Sequence, residues 1–196
     1  NKAWLYRFFF VTLSIENGDS IIIFKSNKIL YSVGKNDECY TPDYGVKPIL
    51  EFIPKDVKFI PGHPIAGTEN SGPESGLSGL FIKGWCILTP NKDTDKKAIK
   101  IVKNMWETVG MKVDIMSSKH HDDVLAITSH IPHIIAYSIV GTVADLEVSI
   151  KKEVIKYAAS GFRDFTRIAA SDPTMWRDIA LLNKSSIIKA LELFKG

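Results

Sequence analysis

One change of hydrophobic period, near residue 117, limits the folds open to this chain. Ahead of it, short runs rich in β-branched and aromatic residues alternate with a single amphipathic stretch. V-K-F-I at 57–60 and W-C-I-L-T at 85–89 read as buried strands, and Met111 to Met116 as a third. Between the last two, residues 93–110 repeat apolar side chains at helical spacing through Ala98, Ile101, Val102, Met105 and Trp106, with Gly110 as the C-terminal stop. Strand, helix, strand is the order that ends a Rossmann-like α/β domain. Beyond Ser117 the pattern predicts helices alone, at 118–129, 132–147, 149–160, 162–170 and 173–194. The chain therefore divides into an α/β part, 1–116, and an all-α part, 117–196.

The beginning of the chain is less regular. Residues 8–15 and 21–24, with Asn17-Gly18 between them, predict a hairpin, and P-I-L-E-F-I at 48–53 reads as a short helix end. The run W-L-Y-R-F-F-F-V-T-L-S-I contains Arg7 and is too short to span a bilayer, and it lacks a signal-peptide cleavage site. A first residue of Asn1 rather than Met leads us to expect a fragment or a processed end.

Composition narrows the functional classes. A formal net charge of +3 over 196 residues argues against a nucleic-acid partner. Lys92, Lys96, Lys97, Lys100 and Lys103 are interleaved with Asp93, Asp95 and Glu107, which describes a solvated helix face. Cys39 and Cys86 are isolated, so neither a disulfide scaffold nor a thiolate metal site is expected, and a reducing cytoplasm suits the chain. No membrane partner is expected either.

The stretch G-F-R-D-F-T-R-I-A-A-S-D-P-T-M-W-R-D, 161–178, sets Arg163 and Arg167 four apart on one helix face among Phe162, Phe165, Ile168, Ala169 and Ala170. Two readings compete. Asp164 could pair with the arginines on a helix surface, or one guanidinium could hold a carboxylate ligand through a bidentate, charge-assisted pair. Downstream, Asp172 is a good N-cap and Pro173 fits a first helical position, so a helix containing Trp176 should start there.

This stretch resembles the substrate site of prephenate dehydrogenases. G-H-P-I-A-G-T-E-N-S-G at 62–72 is similar to the catalytic-histidine loop of that family, and S-H-I-P-H at 129–133 to its substrate-lining helix junction. W-C-I-L-T-P at 85–90 and A-I-T-S-H at 126–130 also fit, so the resemblance covers about residues 43–196. It implies part of a Rossmann-like α/β domain followed by an all-α helical dimerisation domain, like the C-terminal domain of 6-phosphogluconate dehydrogenase. It further implies oxidative decarboxylation of prephenate, or of its amino analogue arogenate, with hydride transfer to NAD or NADP, in a homodimer formed through the helical domain.

By the same resemblance, His63 takes or polarises the ring-hydroxyl proton, a task suited to an imidazole that titrates near neutrality. Thr68 and Glu69 lie near the substrate, Arg167 holds its carboxylate, Arg163 is a second basic residue there, and Asp164 orients one or both arginines. Ser129 and His133 line the substrate, with His130 beside them. Trp176 stands near the active site, contributed by the same or the partner subunit.

A metal site is the competing use of the histidines. His130 and His133 are three apart, and His120, His121, Asp122 and Asp123 form a run, but zinc needs three or four convergent ligands. Pro132 is expected to interrupt the helix after His130 and disturb that register, and the acidic pair to serve the N-terminal dipole of a helix.

Two departures from the family stand out. No G-x-G-x-x-G occurs, since Gly18, Gly34 and Gly45 are the only glycines before Gly62. D-Y-G-V-K at 43–47 replaces the family's D-x-G-S-V-K-like stretch and lacks its serine. The expectation is therefore a catalytic loop and helical domain whose nucleotide-binding half is truncated or replaced. A non-catalytic helical module that keeps the substrate pocket is the alternative.

Overall fold

In the computed structural model, residues 11–15, 19–25, 58–66 and 79–196 are described, the first two segments as backbone only. The chain divides into two compact units, Asn1–Asp122 and Asp123–Gly196.

The first unit is built on a five-stranded mixed sheet, β1 (Val11–Ile15), β2 (Asp19–Lys25), β3 (Lys58–Ile65), β4 (Trp85–Leu88) and β5 (Lys112–Ile115), in that spatial order. β1 and β2 pair antiparallel as the hairpin reading predicts, although its Asn17-Gly18 turn lies outside the described residues, as does the helix end read at 48–53. β2 and β3 are parallel, β3 and β4 antiparallel, and β4 and β5 parallel. The last pair is joined by helix α1 (Lys96–Thr108), which forms a β-α-β unit.

Local chemistry sets both ends of α1. The Asp95 carboxylate accepts the Lys97 N–H at 2.8 Å, and Gly110 turns the chain with φ of 93°. A Cβ at Gly110 would lie 3.3 Å from Ile82 Cα, so both the dihedral and the space call for glycine. Ala98, Val102 and Trp106 recur every four residues and place one α1 stripe against Ile60, Cys86, Leu88 and Met111. Phe81 meets Trp106 edge-on at 5.6 Å.

Helix α2 (Ser118–Leu125) carries the chain out of the first unit. It continues through a π-helical turn, Ala126–His130, into α3 (Ile131–Ala144), making one helix of 27 residues. The interruption expected at Pro132 does not occur. Proline lacks the N–H of an α-helical bond and crowds the carbonyl four residues back, and a widened turn relieves both problems. Ile131 donates its N–H to Ala126 O, five residues back, and Pro132 sits in the first turn of α3.

Four further helices complete the second unit: α4 (Val148–Lys156), α5 (Ser160–Ala169), α6 (Pro173–Leu182) and α7 (Lys184–Lys195). The single helix expected over 173–194 is divided at Asn183, whose φ of -97° and ψ of 27° leave the helical region. The buried residues at the core of this unit are Ala126, Ile131, Ile187 and Ala190. Much of its apolar surface stays outside. Ile155, Leu181, Leu193 and Phe194 are exposed, and α4 and α5 bury no residue fully. The continuous helix Ser118–Ala144 is long and apolar enough to cross a bilayer, and only a minor part of it is buried within the chain.

Candidate active site

His63 lies near the end of β3, opposite Ile87 of β4, and is 5 % exposed. The flanking residues Gly62 and Pro64 are also buried, so the imidazole is held by the sheet. His63 Nδ1 is 2.8 Å from His121 Nε2, and His121 Nδ1 is 3.0 Å from Asp122 Oδ1. All three side chains are buried, and the sequence gives no sign that residues 58 positions apart meet. The H-H-D-D run was expected to supply acidic residues to the dipole of a helix N-terminus. The structure corrects this: Asp122 faces His121, and Asp123 accepts the Ser186 hydroxyl proton at 2.7 Å. Thr68 and Glu69 lie outside the described residues.

A second group forms within the helical unit. His133 Nδ1 donates to Ser129 O at 2.9 Å, which leaves Nε2 as its lone-pair nitrogen. The ring stacks on Trp176, with centroids 3.4 Å apart and planes within 15°. Burial pushes the His133 pKa below its usual 6.5, and the hydrogen bond to Ser129 opposes that shift only in part. A neutral imidazole with Nε2 as acceptor results. His130 stands beside them, 6.2 Å from Trp176 and accepting at Nδ1 from Asn183 Nδ2 at 3.1 Å. Trp176 Nε1 is buried with no hydrogen-bond partner among the described residues.

The placement of Trp176 starts from local sequence. Asp172 caps α6 as the sequence predicts, accepting from Thr174 N at 2.9 Å and Met175 N at 3.3 Å, with Pro173 in the first turn. Tyr137 of α3 donates to Ser171 O at 2.6 Å and so ties the start of α6 to the helix that carries His133. Burial, reinforced by the nearby Asp172 carboxylate, raises the Tyr137 pKa. Tyr137 and Asn183 were not among the sequence candidates; each bonds to a residue more than thirty positions away, a pairing that no local pattern reveals.

Arg163 and Arg167 both lie exposed on α5, whose Phe162, Phe165 and Ile168 are half-buried. Asp164 reaches Arg167 Nη2 at 3.7 Å, with both side chains more than half exposed. At that distance and exposure the pair is weak, and the guanidinium keeps most of its donors for another anion. Arg163 makes no ion pair among the described residues.

The described residues do not form a cradle for a dinucleotide pyrophosphate. The strand-to-helix junction at the start of α1 is capped by the Asp95 carboxylate, which occupies the place an anion would take. The glycines with left-handed backbone, Gly79, Gly110 and Gly196, stand away from any helix N-terminus.

Comparison with known proteins covers both parts of the chain. The family model of the prephenate dehydrogenase nucleotide-binding domain matches residues 43–115, and that of the prephenate dehydrogenase dimerization domain matches 117–196. Cyclohexadienyl dehydrogenase of Zymomonas mobilis is 42% identical over 149 residues, which cover 76% of this chain and 50% of the relative. The crystal structure of Aquifex aeolicus prephenate dehydrogenase in complex with hydroxyphenyl propionate and NAD+ superposes with a TM-score of 0.68 at 47% identity, covering 76% of this chain and 51% of that one. Synechocystis arogenate dehydrogenase gives a TM-score of 0.61 at 29% identity, over 70% of this chain and 50% of that one. The chain spans about half the length of these relatives.

Proposed function

This chain belongs to the prephenate dehydrogenase family, and on that premise we propose that it serves tyrosine biosynthesis by oxidatively decarboxylating prephenate to 4-hydroxyphenylpyruvate with hydride transfer to NAD or NADP. The observation that carries the reading is His63. It is the histidine of the G-H-P-I-A-G loop, it lies inside the matched span, and the sheet holds it buried. A nicotinamide nucleotide, when bound, would supply the hydride acceptor. As hydride leaves the ring carbon, the hydroxyl oxygen forms its double bond to that carbon and His63 accepts the released proton. When the carbon–carboxylate bond breaks, its electron pair aromatises the ring and the phenolic oxygen takes the proton back, so carbon dioxide is lost with no net change in protons.

Arg167 holds a substrate carboxylate, with Arg163 beside it and Asp164 orienting the pair. His133 Nε2, kept unprotonated, accepts a hydrogen bond from the substrate, and Ser129 and Trp176 complete that side. Thr68 and Glu69 act near the polar end of the substrate. The apolar surface left open on the helical unit is covered by a second copy of the chain, in keeping with the dimerization-domain match. We place the enzyme in the cytoplasm, where its isolated cysteines stay reduced.

Arogenate is the second substrate to consider, because the Synechocystis relative is named for it. The alternative, from a different class, is a helical module that binds ligand without turnover. Purified protein with prephenate and NAD should produce NADH absorbance that disappears in His63→Ala. Saturable binding of 4-hydroxyphenylpyruvate without NADH would replace the enzyme reading by the binding module. Binding unchanged in Arg167→Ala would remove that arginine from the carboxylate site.

A further inference from the structure

We propose that His121 and Asp122 are positioning residues that fix His63 in the tautomer able to act as a base; this rests on the reading of His63 given above. The order of atoms is Asp122 Oδ1, His121 Nδ1, His121 Nε2, His63 Nδ1, with separations of 3.0 and 2.8 Å at the two hydrogen bonds. A carboxylate only accepts, so His121 carries its proton on Nδ1 and its Nε2 is a lone-pair nitrogen. That lone pair accepts in turn, so His63 carries its proton on Nδ1. His63 Nε2 is then the basic nitrogen.

Rotation cannot undo this arrangement cheaply. The three groups are 5 %, 3 % and 5 % exposed for His63, His121 and Asp122, so a reversed chain would leave a buried carboxylate facing a lone pair. When Nε2 takes the hydroxyl proton, the His63 N–H bond forms as the substrate O–H bond breaks. The resulting imidazolium donates through Nδ1 to His121, whose own N–H points to the Asp122 charge. Asp122 stays ionised throughout, as the carboxylate does in the serine-protease arrangement of carboxylate, imidazole and nucleophile. An extra imidazole here extends the reach of the carboxylate from α2 to the end of β3.

Nuclear magnetic resonance of the full chain labelled with 15N-histidine tests the proposal directly. The protein has 5 histidines, and the His63 signals are those lost in His63→Asn. His63 should show a protonated Nδ1 and an unprotonated Nε2; the opposite pattern in the wild-type protein overturns the proposal with no variant required. Asp122→Asn should shift His63 towards the Nε2-protonated tautomer and lower kcat about 10²-fold with KM little changed. His121→Ala should lower kcat to a similar extent, and His121→Gln, whose amide oxygen can still accept from His63 Nδ1, should recover most of that loss. An Asp122→Asn protein that keeps both the wild-type tautomer and the wild-type kcat also overturns the proposal. If the wild-type chain forms no NADH from prephenate and NAD, the assigned reaction fails, whereas the tautomer still decides whether the relay exists.

Discussion

The α/β unit and the helical unit solve the problem of burying apolar surface in different ways. In the first, Ile60, Leu88 and Val102 are wholly inaccessible and a full helix stripe is sealed against the sheet. In the second, the fully buried positions are small, Ala126 and Ala136, while Leu193 and Phe194 remain 72% and 71% exposed. A β-α-β unit closes a core because strands and helix present flat, complementary faces. Short helices of 9 and 10 residues, such as α4 and α5, cannot enclose one another and leave an open apolar face. Among the described residues, the β-α-β core of the first unit is sealed, whereas the helical unit, which matches a dimerization domain, leaves large apolar side chains exposed.

The comparison can be broken most readily at the open face. Ile155→Lys combined with Leu181→Lys removes two large apolar side chains, each worth about 1.5–3 kcal/mol when buried. Sedimentation should show a dimer weakened more than about 100-fold, with little change in the unfolding of the monomer. Association unchanged by both substitutions would place the interface elsewhere. Within the closed core, Leu88→Ala should cost about 2–5 kcal/mol in urea unfolding, because the cavity cannot collapse against β3 and α1. That loss should not depend on protein concentration.

Smaller effects sharpen the local part of the contrast. Asp172→Ala should remove about 1 kcal/mol by exposing the α6 N–H groups, and it should loosen the Trp176–His133 stack as seen in tryptophan fluorescence. The smallest effect concerns pH. The His133 pKa is lowered on folding, so the unfolded chain binds more protons at pH values between the folded pKa and about 6.5. Its contribution is therefore complete above that range and lost as pH falls through it. His133→Phe keeps a stacking ring but cannot titrate, so its melting temperature should fall less than that of the wild type on acidification below pH 6.5. Parallel curves would show that His133 is not the group responsible.

Local features proved legible in the sequence when the interaction that creates them spans only a few residues. The helix stop at Gly110, the Asp172-Pro173 cap and the strand at 85–88 are of this kind. The π turn before Pro132 was not legible, because a proline in a helical pattern has two outcomes and neighbouring packing selects between them. The same is true of the break at Asn183, whose side chain is committed to His130 on a distant turn.

The candidate site divides along the same line. His63, Ser129, His133, Arg167 and Trp176 lie in short motifs that resemble those of the family, so the sequence singles them out whatever surrounds them. His121 and Asp122 read as the polar start of a helix, because the partner that His121 meets is a histidine 58 positions earlier. By itself the sequence determined the kinds of element, their order and the family, through periodicity and short motifs set by bonds within a turn or two. Tertiary structure alone decided which histidine nitrogen faces which acceptor and which apolar face stays open, because both follow from burial, and burial depends on what the rest of the chain brings alongside.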